Sequence, residues 1–198
     1  AGSRDRYLAD PTVAVVTMTV TEAGYLAGPS GGADLDDATL RHDIEVLRQM
    51  SRSSLAIGSV RAGGDARPLT APGRLLAGLC HRRRLDAGPI TLVPCDNLAG
   101  NGAILRQVLV DVAQEVDPGL VDWIVGSVPV VSTVVDRITP RPTDEDLADV
   151  SRETGFEDPC AVVTEPFHEW LLSGEFGAGR PAWEGGGASF VDDAEPFE

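Results

Sequence analysis

Four clusters of polar and charged residues each follow an apolar run in this chain. Thr21-Glu22-Ala23-Gly24-Tyr25 closes the run VAVVTMTV at 13–20, and Cys95-Asp96-Asn97-Leu98-Ala99-Gly100-Asn101-Gly102 closes PITLVPC at 89–95. Asp136-Arg137-Ile138-Thr139-Pro140 follows VVSTVV at 130–135, and Glu165-Pro166-Phe167-His168-Glu169-Trp170 follows AVVT at 161–164. One such cluster reads as readily as a helix cap or a turn. Four in succession point to a shared site. Asn97 offers an amide donor and an acceptor and does not titrate. It suits polarising a carbonyl or holding an alkoxide. Asp136, next to Arg137, is either half of an ion pair or an acceptor for a substrate hydroxyl. Glu22 and Glu165 can accept from further hydroxyls, so the set suits a polyhydroxylated ligand. Carboxylates alone also bind divalent cations. The close acidic pairs, however, are Asp36-Asp37 and Asp192-Asp193, away from these run ends or near the terminus, and no metal is expected. His168 reads as a surface or structural histidine. Cys95 reads as a small packing residue, because no histidine partner is in view.

The elements that must position these residues follow from periodicity. The apolar runs are rich in β-branched residues on both faces, as in strands covered on both sides; a weaker run lies at 188–191. Between them lie helical patterns. Residues 36–50 place Leu40, Ile44 and Leu47 on one stripe, with His42, Asp43 and Glu45 between them. Residues 70–85 carry Thr70 as N-cap and Pro72 in the first turn. That helix ends in Arg82-Arg83-Arg84, a solvated end that suits the negative pole of its dipole, with Gly88 as its stop. Residues 101–116 and 118–128 form two more helices. Thr143 caps a fifth, with acids in its first turn and Gly155 at its end. The segments 58–67 and 174–187 read as glycine-rich loops, the second one exposed. Strands alternating with helices predict an α/β fold with a mainly parallel sheet and helices on both faces. In such sheets ligands bind outside the carboxyl ends of the strands, where the four clusters stand.

The chain of 198 residues carries 16 basic residues, all arginine, against 31 acidic ones, for a net charge of −15. This acidity argues against nucleic acid and against anionic membrane surfaces as partners. The absence of lysine rules out a Schiff base, a P-loop lysine or a lysine general base from this chain. Cys80, Cys95 and Cys160 form no CxxC pattern and give no disulfide framework, which fits a reducing cytoplasm. No apolar run is long enough to span a membrane, and residues 1–7 do not form a signal peptide.

Taken in order, TVTEAGY, PCDNLAGNG, VVDRITP, VVTEPFHEW and the tail GRPAWE…FVDD…PFE resemble the mannitol dehydrogenase family of long-chain polyol dehydrogenases. The resemblance runs from about residue 13 to 198. It implies a Rossmann-type nucleotide-binding domain, NAD as cofactor, and hydride transfer between nicotinamide and a polyol or sugar acid. It implies that Asn97 bonds the reacting oxygen, that Asp136 lines the substrate site, and that Thr21 and Glu22 lie beside the nicotinamide ribose. Arg137 and Glu165 are then loop-holding residues. The family begins this domain with a glycine-rich turn and follows it with a helical domain that brings a catalytic lysine. Neither is found here, so the chain is expected to be the later part of the nucleotide-binding domain over 1–198. Two other readings stand beside this one: a binding or structural module without turnover, and a metal-dependent sugar isomerase or lyase.

Overall fold

The computed structural model describes residues 7–53 and 67–198. The expected loop at 58–67 lies almost wholly outside them. The remaining elements alternate as the periodicity requires. Strand β1 (Val15–Met18) is followed by a 3-10 turn (Glu22–Tyr25), then helices α1 (Ala38–Ser53) and α2 (Ala71–Arg84). Strand β2 (Thr91–Pro94) leads to α3 (Asn101–Val116) and α4 (Pro118–Ser127). Strand β3 (Ser132–Asp136), helix α5 (Asp144–Thr154), β4 (Glu169–Ser173) and the short β5 (Ser189–Phe190) complete the order.

β1 and β2 run parallel, with Met18 opposite Pro94. A parallel bridge between Leu92 and Val130 joins β2 to the approach of β3. β3 pairs with β4 antiparallel, and β4 with β5 parallel. Parallel pairing therefore dominates, interrupted by one antiparallel step, after which β4 and β5 both run opposite to β1–β3. The run at 161–164, expected as a strand, is irregular in the structure. The strand forms eight residues later, where Trp170, Leu171 and Leu172 have a partner surface to bury against. Val162 stays 70% exposed. A short β-branched run without such a surface gains too little to become a strand.

Side-chain alternation along the strands separates two cores. Ile90 and Leu92 face one side, with Leu40, Ile44 and Leu47 of α1, Leu75, Leu76 and Leu79 of α2, Leu105 and Leu109 of α3, and Leu120 and Ile124 of α4. Val93, Val131 and Leu172 face the other side, beneath Trp170, Phe176, Trp183 and Phe190. Among the described residues, the four long helices thus cover one face, and an aromatic layer with a 3-10 turn covers the other. The rings of Trp170 and Trp183 lie 4.7 Å apart, and Arg180 sits 3.7 Å above Phe190. The glycine-rich loop at 174–187, expected to be exposed, is half turned inward: it supplies Phe176 and Trp183 to this layer.

Two charged residues are fully buried, one of them against expectation. Arg82 is no solvated helix end; it is completely buried. Its guanidinium donates to the carbonyls of Leu8, Asp10, Ala87, Gly88 and Pro89 at 2.8–3.0 Å. The five N–H donors of arginine match five main-chain carbonyls, four of them outside regular structure and that of Leu8 at a helix end. Asp43, which stands between the apolar positions of α1, is also fully buried. It accepts from the Leu69 and Thr70 amides and the Thr70 hydroxyl, and so pins the start of α2. The N-caps fall where expected, whereas α2 stops at Arg84 with Leu85 as its C-cap, three residues before the expected Gly88. The Thr70 hydroxyl accepts from the Gly73 amide, and Thr143 and Asp146 form a reciprocal capping box.

Candidate functional site

The carboxyl ends of β1 and β2 stand level with one another. The Cys95 amide extends their ladder by donating to Met18 at 2.8 Å. Beyond that point each chain turns away from the sheet. After β1 the 3-10 turn begins, its first bond running from the Gly24 amide to Thr21. Thr21 and Glu22 remain exposed at the start of this turn, while Tyr25 at its end is completely buried in the helical core. After β2 the chain passes through Asp96 and Asn97 to Gly100, which adopts a left-handed conformation (φ 64°) just before α3.

The two turns are tied together. The Tyr25 hydroxyl donates to one carboxylate oxygen of Asp96. The other oxygen accepts from the Leu98 amide at 3.1 Å. Burial in the core, and then this bond to a carboxylate, push the Tyr25 phenol well above its ordinary range. Below Asp96, the fully buried Asn101 bonds in three directions. Its Nδ2 donates to the Asp96 carbonyl at 3.3 Å and the Thr133 carbonyl at 3.0 Å, and its Oδ1 accepts from the Thr133 amide at 3.0 Å. The Thr133 hydroxyl in turn donates to the Pro94 carbonyl at 2.5 Å. One carboxamide therefore stitches α3, the end of β2 and the middle of β3. Gly102 permits this closeness: a Cβ there would lie 2.6 Å from the Ser132 hydroxyl and 2.8 Å from the Ser132 nitrogen.

Asn97 stands between these anchored neighbours. It is exposed, and among the described residues its side chain has no hydrogen-bonding partner. Its amide is free to serve a ligand. Cys95 is half-buried, and burial, followed by the Asp96 charge, pushes its thiol up to about 11. That thiol stays protonated at neutral pH, in line with a packing role.

Asp136 lies elsewhere on the same edge. The bridge at Val130 sets Ser132 level with Pro94, so Asp136 sits four residues farther along β3, roughly 13 Å at ordinary strand rise. It is exposed and faces Glu169 across the antiparallel pair. Among the described residues no hydrogen bond or ion pair joins it to Thr21, Glu22 or Asn97. Because β4 runs against β3, the cluster at 165–170 still reaches this edge, entering β4 at its amino end. Glu165 accepts the Ile138 amide at 2.7 Å, and Arg137 donates to the Glu165 carbonyl at 3.2 Å. These two residues hold the loops flanking Asp136 through main-chain groups rather than by an ion pair. His168 is exposed on this flank, its ring 3.4 Å from the Pro166 carbonyl.

Sequence reasoning passed over Tyr25, Asp96, Asn101 and Thr133. Asn101 carried one signal: it is a polar residue at a position that the apolar stripe of α3 turns toward the core. A separate cleft lies between Gly100, Ser132, Ser173 and the tail residues Asp193, Ala194, Glu195 and Glu198. It contains none of the expected site residues, and its Glu198 carboxylate already accepts the Gly100 amide. We take it as a packing groove. Among the described residues no group of three or more His, Cys, Asp or Glu side chains could hold a metal ion. No described helix is long and apolar enough to cross a membrane.

Comparison with known proteins places this geometry. Residues 9–185 match the family described as the mannitol dehydrogenase Rossmann domain. The chain is 38% identical over 191 residues to the D-arabinitol 4-dehydrogenase of Ralstonia nicotianae, covering 96% of this chain and 37% of that protein. It is 36% identical over 192 residues to the D-mannonate oxidoreductase of Escherichia coli, again covering 96% of this chain and 36% of that one. The structure superimposes on the Pseudomonas fluorescens mannitol 2-dehydrogenase, solved as a ternary complex with NAD and D-mannitol, with a TM-score of 0.79 and 34% identity over 98% of this chain and 36% of that chain. The chain thus spans little more than a third of the length of the relatives it matches. With the family match covering most of its residues, and parallel strands ending level at one edge, the chain belongs to the mannitol dehydrogenase family and forms a Rossmann domain of that family.

Proposed function

We propose that residues 1–198 form the later part of the nucleotide-binding domain of an NAD-dependent dehydrogenase. It moves hydride between nicotinamide and a secondary alcohol of a polyol or sugar acid, of the mannitol, arabinitol or mannonate kind. The observation that carries the reading is the unpartnered Asn97 amide, held at the level carboxyl ends of β1 and β2 by two anchored neighbours. The donor set fits a nicotinamide riboside: Thr21 and Glu22 offer acceptors for ribose hydroxyls, and Asn97 offers a neutral donor. The bound NAD supplies the hydride acceptor.

Asn97 directs its N–H toward the alcohol oxygen and stabilises the negative charge that grows there as the proton leaves. A preorganised amide does this without titrating. Asp136 and Glu169, on the neighbouring part of the edge, accept hydroxyls farther along an extended substrate. The chain holds no lysine and, among the described residues, no histidine beside Asn97, so the group that takes the proton comes from outside these residues. Relatives about three times as long leave room for it. A metal-dependent reading finds no ligand cluster in the described residues. The acidity of the chain disfavours nucleic acid or anionic membrane as partner, and we place the protein in the cytoplasm on the same grounds as its free cysteines.

The test is Asn97→Ala in the full-length enzyme, with NADH formation followed on mannitol, arabinitol and mannonate. The hydride-transfer rate should fall roughly 100-fold, the scale of losing one oxyanion donor. An unchanged rate would reduce Asn97 to a turn residue.

A further inference from the structure

We infer that Tyr25 and Asp96 are positioning residues that hold the cofactor-side turn and Asn97 in one fixed geometry. The inference rests on the role proposed for Asn97. That side chain makes no bond of its own to the described protein, so its position depends on its neighbours. Leu98 is packed against the helical core. Asp96 is held at both carboxylate oxygens, by the Tyr25 hydroxyl and by the Leu98 amide, and its carbonyl is held by Asn101.

Tyr25 is the far end of the same turn that starts at Glu22. Its ring is wholly buried. The turn cannot shift without dragging that ring through the core, and Asp96 follows the ring. Two stretches 71 residues apart in sequence therefore behave as one ledge. The main-chain ladder alone does not do this, because its last bond is at Cys95 and Met18, before either functional residue. Hydride transfer is sensitive to small errors of distance, and a displacement of about 1 Å can cost up to 100-fold.

Tyr25→Phe separates this role from packing, since it keeps the ring and removes only the hydroxyl. In the full-length enzyme, kcat should fall roughly tenfold. The loss should fall mainly on kcat, with the KM for the polyol within about twofold, because Tyr25 and Asp96 themselves touch no substrate. The thermal midpoint should stay close to that of wild type. Deuterium uptake of the 95–101 segment should rise. Asp96→Asn serves the same purpose if Tyr25→Phe does not fold, as a carboxamide offers one acceptor oxygen where two are needed. Wild-type kcat in the variant, or a loss of kcat matched by an equal loss of thermal stability, overturns the positioning role. Asn97→Ala is measured alongside. A slow Asn97→Ala with a full-speed Tyr25→Phe rejects the positioning alone. A full-speed Asn97→Ala rejects the reading of the site itself.

Discussion

At the scale of single residues, chemistry in this domain is set by what each side chain is denied. Asn97 has no side-chain hydrogen-bond partner among the described residues, which leaves its amide open to the role proposed for it. Cys95, one residue before the Asp96–Asn97 pair, is half-buried and has a carboxylate rather than a cation beside it. Its thiol, pushed up from 9.0 to about 11, leaves roughly a hundredfold less thiolate at pH 8 than an ordinary cysteine. Cys80 is raised to about 11 by burial as well. Cys160 is exposed. Treatment with iodoacetamide at pH 8, read by peptide mass spectrometry, should therefore label Cys160 first and Cys95 and Cys80 at least about tenfold more slowly. The gap should narrow as pH rises toward 11, since the two buried thiols ionise only there. Equal labelling at pH 8 would contradict their burial. The inert role of Cys95 was legible in the sequence, from the lack of a histidine beside it. The anchoring of its neighbours was not: Tyr25 and Asp96 are 71 residues apart, and no periodicity encodes a contact between two turns.

Among the elements, helices were more legible than strands. The range of α3 coincides with its apolar stripe, and Thr70 and Thr143 cap as their sequences require. The strand misread at 161–164 shows the limit. Strand formation is decided by the surface met in three dimensions, and EWLLS at 169–173 meets one while AVVT does not. Contacts between elements are equally hidden, because a glycine does not announce what approaches it. Gly102 and Gly126 both lie in helices, yet a Cβ on the first would meet Ser132 at 2.6 Å while one on the second meets nothing within 4 Å. Gly102→Ala should therefore destabilise the domain by about 1–3 kcal/mol through forced separation of α3 and β3. Gly126→Ala should stabilise it by about 0.5–1 kcal/mol through helix propensity. Urea unfolding followed by circular dichroism gives both signs in one series. If both substitutions stabilised, the close approach of α3 to β3 would be wrong.

For the molecule as a whole, the absence of lysine joins composition to mechanism. Arginine serves well for structure, as the five carbonyls around Arg82 show, and a lysine with three donors could not replace it there. Arginine serves poorly as a general base, since it does not give up its proton in proteins. The 198 residues alone should therefore form no NADH from NAD with mannitol, arabinitol or mannonate, as followed by absorbance. Turnover at the rate of an ordinary dehydrogenase would show that the proton is taken by a group within this chain. The fold class and the shared strand edge could be read from alternation alone. The division of the two faces, helices on one and tryptophans on the other, could not, because glycine-rich stretches such as 174–187 look like solvent loops until their aromatic residues find a sheet.

The reversed strand has a further consequence, and it concerns how such a protein can change. β3 leaves the sheet at Asp136 and β4 returns opposite it at Glu169, so the 32 intervening residues form an excursion from the functional edge itself. Its helix α5 buries no residue, and Ile138, Phe156, Val162 and Phe167 are all more than half exposed. The excursion contributes to neither core, so substitutions and length changes within it should leave both intact. The domain thus keeps what folds it apart from what flanks the proposed site, and variation beside Asp136 comes at little cost to folding.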